Sequence, residues 1–416
     1  MEDTFTLTLC ADHVTPVRAY AALRSFAPQQ TSFLFESLVS PERGGRYSII
    51  GYRAQSEGLY PAGGDALALL AQELSTSAGP SSGTTRPAAE ALARRVSKAT
   101  IGYVTYDAVH PIHKIKPWES EGPMARMIQG STVVVFDHLA QTCTIAGPTK
   151  ASVNRCASEM NRGPELRLLR APDPQASPEH VDVGMSDELF ALRVSRAKEH
   201  VARGEITRIV LARIFRTPPR NADLFDVYRA LRVLSPRPYH FFIDFVESPM
   251  VPSQMVLGAS DRALLGGDEA GAAGSTGERI RAAFPGDAVV GSPRARAAQL
   301  IRELEAEPRG HYGGAIGYIL PDGELGLTVA RRTVVLQEAY LEVGGDTTID
   351  AESDPASAAE ETRNEARFGL AAVRAAQDAA DAREAFDAAK RAREAAQSAR
   401  EAGAPSTEKA GDEGAS

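Results

Sequence analysis

Two carboxylates and two arginines carry the most chemistry in this sequence. Glu361 and Glu365 lie four residues apart in a stretch that reads as helix, so they share one face. Like charges at that spacing cost about 0.2–0.5 kcal/mol unless a cation bridges them. A magnesium ion takes oxygen ligands of this kind, but the spacing alone favours a solvated helix face. Arg331 and Arg332 stand side by side in TVARRTVVL, which reads as a strand. Neighbouring strand residues point to opposite faces, so one guanidinium must face the interior or a cleft and needs an anionic partner there. A small-molecule carboxylate and an internal Asp or Glu both meet that need.

Other candidate groups offer less. His110 and His113 form the only close histidine pair, and no third ligand is spaced to help them, so a solvated loop is the expectation. Glu303 and Glu305 are two apart and face different ways. The stretch GGDEAGAAG at 266–274 lacks the GxGxxG spacing of a phosphate loop and reads as linker or turn up to Arg279. No HExxH, P-loop or nucleophile-elbow pattern occurs.

The elements that would position these groups follow from periodicity. Residues 17–26 have helical spacing, and 32–39 and 45–53 read as strands. Residues 65–74 read as a helix, and 75–87 as a small-residue linker. Strands are expected at 99–109 and 131–139, the latter forming a hairpin with 142–147. In the second half, Ser186 caps a helix with the stripe Phe190, Val194, Ala197 and Val201, which ends at Gly204. Strands follow at 206–216, 239–245 and 255–260. A helix with Ala297, Ile301 and Leu304 inward spans 294–305, followed by strands at 312–320, 327–336 and 339–343. Asp354-Pro355 opens a last helix to about Ala376. From Gln377 the chain is rich in Ala, Glu, Asp, Arg and Lys, helical in composition but without an apolar face, and its last residues read as disordered. The expected organisation is 1–162, a linker at 163–184, a second region at 185–376 and a tail at 377–416.

Composition bounds the class. With 416 residues, 43% of them hydrophobic, the chain can bury a large core. A net charge of −8 argues against a nucleic-acid partner and suits a cytoplasmic protein. Three scattered cysteines make no disulfide framework. No signal-peptide pattern opens the sequence, and no apolar run approaches the ~20 residues of a membrane span.

Ordered motifs across both halves resemble a known family. They include SFLFESLVSPERGGRYSIIG (32–51), IGYVTYDAV (101–109), GEITRIVLARIF (204–215) and SPRPYHFFIDF (235–245). FPGDAVVGSPRARAAQLIRELE (284–305), RGHYGGAIGYI (309–319), VARRTVVL (329–336) and DAESDPASAAEETRNEA (350–366) continue the series. The sequence resembles component I of anthranilate synthase, among the chorismate-utilising enzymes. The resemblance implies an α+β protein with large, mostly antiparallel β-sheets flanked by helices. It implies the conversion of chorismate and ammonia to anthranilate and pyruvate, with Mg2+ as cofactor. A glutamine amidotransferase subunit is the implied partner and source of ammonia. By position, Arg332 matches the arginine that holds a substrate carboxylate, and Tyr312 a tyrosine of the chorismate pocket. Glu361 matches a magnesium ligand on the last helix, and Ser37, Pro238 and Tyr239 match positions of a tryptophan feedback pocket.

The same alignment of motifs marks departures. Between Leu265 and Ile280 the chain lacks a long family segment that carries a catalytic histidine and a second magnesium-binding glutamate. Ala288 stands at a threonine position, Asp346-Thr347-Thr348 at a glycine-rich carboxylate loop, and Glu365 at a lysine. Two readings follow: an anthranilate-forming enzyme, or a non-catalytic relative that binds a small aromatic or anionic ligand or a partner subunit.

Overall fold

The computed structural model describes residues 4–37, 45–77, 87–119, 122–163, 166–247, 252–264, 274–337 and 339–402. The first half contributes strands β1 (Phe5–Cys10), β2 (Ser32–Ser37), β3 (Tyr47–Tyr52), β4 (Ser56–Tyr60), β5 (Thr100–Val104), β6 (Ala125–Gln129), β7 (Thr132–Asp137) and β8 (Thr142–Gly147). The second half contributes β9 (Asp182–Val183), β10 (Arg208–Thr217), β11 (Tyr239–Phe245), β12 (Gln254–Ser260), β13 (Gly291–Ser292), β14 (Ala315–Ile319), β15 (Leu325–Val329), β16 (Thr333–Gln337) and β17 (Tyr340–Ile349). The helices are α1 (Pro16–Phe26), α2 (Ala66–Ser77), α3 (Ala88–Val96), α4 (Val109–His113), α5 (Lys150–Arg162), α6 (Asp187–Ala202), α7 (Leu224–Leu234), α8 (Thr276–Ala283), α9 (Arg294–Leu304) and α10 (Pro355–Ala402).

The architecture is α+β. A 12-stranded sheet runs β1-β8-β7-β3-β2-β11-β12-β16-β17-β10-β13, with β9 paired to β10. A 5-stranded sheet runs β15-β14-β5-β6-β4. Both sheets take strands from both halves of the chain, through β2–β11 in the large sheet and β5–β14 in the small one, and these pairings are antiparallel.

Alternation along the strands explains the layers. On β2, β7 and β11 the side chains of Leu34, Val134 and Phe242 face a core built with α1, α5, α7 and α10. Their neighbours Phe33, Val133 and Phe241 face the opposite way, against Ile101, Tyr103, Ile128 and Ile316 of the small sheet. These central strands are therefore buried on both faces and read as continuous apolar runs. The far side of the small sheet packs on α2, α6, α8 and α9.

Several sequence expectations hold in detail. Ser186 caps α6, and Phe190, Val194 and Ala197 are buried. The inward face of α9 holds Ala297, Ile301 and Leu304. The expected β7–β8 hairpin forms, with Asp137 paired to Thr142 next to the turn.

The strand expected at 99–109 ends at Val104 and gives way to helical turns over 106–113, and four further expectations need correction. The segment 327–336 is not one strand: β15 belongs to the small sheet, β16 to the large one, and Ala330–Arg332 carry the chain between them. Arg332 takes a left-handed φ of 43° at that crossing, which a continuous strand would not require. Second, β17 runs to Ile349 because its whole length pairs with β10, so Asp346-Thr347-Thr348 are strand residues. Third, the stretch 266–279 does not remain linker to Arg279. Ser275 and Glu278 form a capping box that starts α8, and Gly277, Ile280 and Ala283 are buried. Residues 265–273 lie outside the described residues, as do 78–86 of the expected 75–87 linker and the tail beyond Ala402. Fourth, α10 does not stop near Ala376: Gln377 and Ala380 are still buried, and the helix continues as an exposed rod. The expected lack of an apolar face applies only beyond that point.

The docking of α10 on β17 depends on close approach at a glycine. A Cβ at Gly345 would lie 2.1 Å from the Thr362 carbonyl oxygen of α10. Arg213 of β10 pins the same turn, donating to Thr362 Oγ1 at 2.9 Å and to the Ala359 carbonyl at 2.6 Å. Gly345→Ala is expected to lower stability by about 1–3 kcal/mol through overpacking. A urea midpoint unchanged from wild type would contradict this packing.

Candidate functional site

The sheet crossing, β17 and the first turns of α10 bring four charged groups together. Arg331 donates from Nη2 to Asp346 Oδ1 at 2.8 Å. Arg332 donates from Nε and Nη2 to the two oxygens of Glu365, at 3.1 and 3.2 Å. That is a bidentate fork, the geometry in which a guanidinium binds carboxylate best. Glu365 also lies 3.8 Å from Arg331. Arg332 is held further by Ser235, whose hydroxyl accepts from Nη1 at 2.7 Å, and by the Phe368 ring, 4.3 Å below the guanidinium. The Asp346 side chain is only 4% exposed, and that of Arg332 11%. Burial alone would lower the pKa of Arg331; the charge of Asp346, with Tyr312 and Glu365, instead holds it above the usual value. The internal carboxylates left open by the sequence are thus the observed partners of both arginines.

Tyr312 sits beside this cluster. Its ring lies flat against Gly344, where a Cβ would come within 1.9 Å of it. The residue is buried, and burial and then the Asp346 carboxylate raise its phenol pKa well above the ordinary value. Among the described residues neither its hydroxyl nor Asp346 Oδ2 makes a well-formed hydrogen bond. Arg332, Tyr312 and Glu365 are therefore brought together, but in a packed cluster. The opening above it is a cleft of about 110 Å³ whose lining includes Arg237, Ser260, Asp261, Arg331, Arg332 and Glu365. Ligand pockets usually enclose about 300–1,000 Å³.

Glu361 is engaged elsewhere: its carboxylate accepts from the Thr347 hydroxyl. Glu365, one turn on, is engaged by two guanidiniums. Among the described residues no group of three or more His, Cys, Asp or Glu side chains is arranged to hold a metal. Mg2+ demands several oxygen ligands in near-octahedral array. The donor set here does not fit that ion, because one carboxylate is neutralised by arginines and the other stands with a single hydroxyl. The His110/His113 pair is also not a solvated loop. It lies on α4, with His110 buried, and burial, then Arg294 and Arg281, lower the pKa of His113.

Ser37, Pro238 and Tyr239 do come together. Ser37 is the register partner of Tyr239 at the end of the β2–β11 pair, and Pro238 precedes it. The Ser37 hydroxyl is buried and finds no partner among the described residues, whereas Tyr239 is 38% exposed. His240 lies next in the strand and donates from Nε2 to the Ser235 carbonyl, 2.9 Å away. Through Ser235 this end of the β2–β11 pair and the arginine cluster share a residue. Sequence reasoning missed Ser235 and Phe368. A serine between Leu234 and Pro236 carries no periodic signal, and Phe368 reads only as helix core.

Two buried imidazoles near the site set a pH dependence. Burial lowers the pKa of His311 to about 3 and that of His240 to about 4. Both bind a proton more weakly folded than unfolded, where histidine titrates near 6.5. The unfolded chain then takes up protons first, so stability falls as pH drops below about 6.5, by up to about 1.4 kcal/mol per pH unit for each group. Urea midpoints should decline from pH 7 to pH 5, less steeply in His311→Phe. Equal slopes in the two proteins would contradict the assignment.

A family model described as chorismate binding enzyme matches residues 54–264 and 272–371. Anthranilate synthase component 1 of Streptomyces coelicolor is 28% identical over 468 residues, covering 89% of this chain and 88% of the relative. That alignment is longer than the 416 residues of this chain, so it spans a gap on this side. The interruption of the family match after residue 264 falls where the sequence departs from the motif series. In structure, anthranilate synthase component I from Streptococcus pneumoniae matches with a TM-score of 0.64 and 19% identity, covering 78% of this chain and 92% of that one. The menaquinone-specific isochorismate synthase from Escherichia coli matches with a TM-score of 0.59 and 13% identity, over 89% and 95%. At these identities the structural likeness speaks for the fold.

Proposed function

This chain belongs to the chorismate binding enzyme family, and we propose that within it the chain is a non-catalytic relative of anthranilate synthase component I that serves aromatic biosynthesis by binding. The observation that carries the reading is the fork between Arg332 and Glu365, with Arg331 on Asp346 beside it. The guanidiniums that would hold a dianionic ring acid are already neutralised by the chain's own carboxylates. A competing acid must displace partners held on the same scaffold, and its charge meets Asp346 and Glu365. Among the described residues the carboxylates present do not suit Mg2+.

What the protein keeps is the frame, and with it the pocket end at Ser37, Pro238 and Tyr239. A buried, unpartnered hydroxyl beside a half-exposed aromatic ring suits an aromatic amino acid, whose ring stacks and whose polar end bonds. Tryptophan is the proposed ligand there by resemblance, and a glutamine amidotransferase subunit the proposed partner. In that role the protein would report amino-acid supply to its partner without converting chorismate.

A second reading, formation of anthranilate, is favoured by the name of the Streptomyces coelicolor relative and its coverage. One experiment separates the two. Purified protein is mixed with chorismate, Mg2+ and ammonium, and anthranilate fluorescence is followed. The proposal expects no signal above the protein-free control, and sustained anthranilate production would overturn it. Calorimetric titration with tryptophan should release heat, and the heat should be lost in Tyr239→Ala. No heat in the wild type would remove the ligand from the proposal.

A further inference from the structure

The edges of the two sheets differ in how they are closed. At one end of the large sheet β13 has two residues and is followed by Pro293. The β15 edge of the small sheet is covered by Arg262–Leu264, through Leu264 N–H to the Leu327 carbonyl and Val329 N–H to the Arg262 carbonyl. The β4 edge carries Glu57, which is held by Arg126. The remaining end strand is β1, FTLTLC, which among the described residues pairs with β8 alone. It has no proline, no charge and no bulge, the devices that usually keep an edge from pairing.

The register says which groups are free. Ala11 N–H donates to the Gln141 carbonyl, so the 11/141 pair is a hydrogen-bonded one. Bonded and non-bonded pairs alternate in an antiparallel ladder. Phe5, Leu7 and Leu9 therefore direct their backbone groups to β8, and Thr6, Thr8 and Cys10 direct theirs outward. The contact of Thr8 Oγ1 with Thr144 Oγ1 at 3.0 Å agrees, since side chains approach most closely at non-bonded pairs. Arg94 of α3 takes the Thr4 carbonyl, so the open run is bounded and extends from Thr6 to Cys10.

We propose that this edge is a homodimer interface, occupied by β1 of a second copy related by a two-fold axis at Thr8. The outward groups at 6, 8 and 10 are symmetric about that residue. The axis sets Thr8 opposite Thr8 of the second copy and Thr6 opposite Cys10. It sets Leu7 opposite Leu9, two side chains that are only partly buried in the single chain. Every outward N–H and C=O between Thr6 and Cys10 then finds a partner, and no like charges oppose each other across the seam. An isologous contact of this kind closes at two copies and does not propagate. This inference stands apart from the catalytic question, since β1 lies at the opposite end of the large sheet from β17.

The test is sedimentation equilibrium of the full chain across about 1–100 µM, a range that brackets weak and moderate association. The wild type should show a monomer–dimer equilibrium. Thr8→Pro should weaken dimerisation by at least about tenfold. The Thr8 N–H points outward, so proline there removes no bond to β8 and the thermal melt should be unchanged. Thr8→Lys sets like charges face to face and should act in the same direction, which decides the matter if the proline variant misfolds. Thr6→Cys places a thiol about 5.5 Å, Cα to Cα, from Cys10 of the second copy, within disulfide reach. It should cross-link under mild oxidant, and Thr6→Cys combined with Cys10→Ser should not. A wild type that stays monomeric throughout, or a dimer that Thr8→Lys leaves intact, would overturn the proposal.

Discussion

Two guanidinium groups at one sheet crossing, Arg331 and Arg332, meet two carboxylates of the same chain, Asp346 and Glu365. The arrangement requires three elements to be placed together. The chain must leave the small sheet at Val329 and enter the large one at Thr333, which turns the two arginines away from any strand alternation. Strand β17 must run unbroken past Asp346, and its pairing with β10 secures that. Helix α10 must lie close on β17 so that Glu365 reaches Arg332. Gly345 permits the approach, and Arg213 ties the helix to β10 and, through Asp187, to α6.

The energetic consequence lies in the difference between a tethered and a free anion. A partner carried on the same chain acts at an effective concentration on the order of millimolar even through a flexible linker. Here both carboxylates sit on a packed helix and a paired strand, and Glu365 makes a two-point contact. A free ring acid gains only what it offers beyond that contact, and it must approach two negative charges to do so. The same carboxylates are withdrawn from metal binding, because a guanidinium beside Glu365 repels a second cation. One residue, Glu365, thus bears on both the arginines and the carboxylate pair of the last helix.

Much of this frame is legible in the sequence, and what is hidden has a physical reason. Helices α6 and α9 and the β7–β8 hairpin announce themselves through caps and alternation, local signals that tertiary packing then reinforces. The pairing of Glu365 with Arg332 depends on contacts 33 residues apart, which no local period encodes. Arg331-Arg332 lies between two β-rich runs, so composition alone joins β15 and β16 into one strand. The left-handed turn at Arg332 gives no warning, since arginine rarely adopts it. Helix α8 is masked by the small residues before it, although its Ser275–Glu278 capping box is a readable start signal. The extent of β17 escapes because Gly344-Gly345-Asp346 looks like a turn until the close approach of Tyr312 and α10 shows why glycine is needed.

Internal carboxylates occupy the arginine cluster. Isothermal titration calorimetry of the full chain with chorismate, wild type against Glu365→Ala, tests this most directly. Wild-type affinity should be no tighter than about millimolar and should rise at least about tenfold when Glu365 is removed. Micromolar binding by the wild type, unaltered in Glu365→Ala, would contradict it.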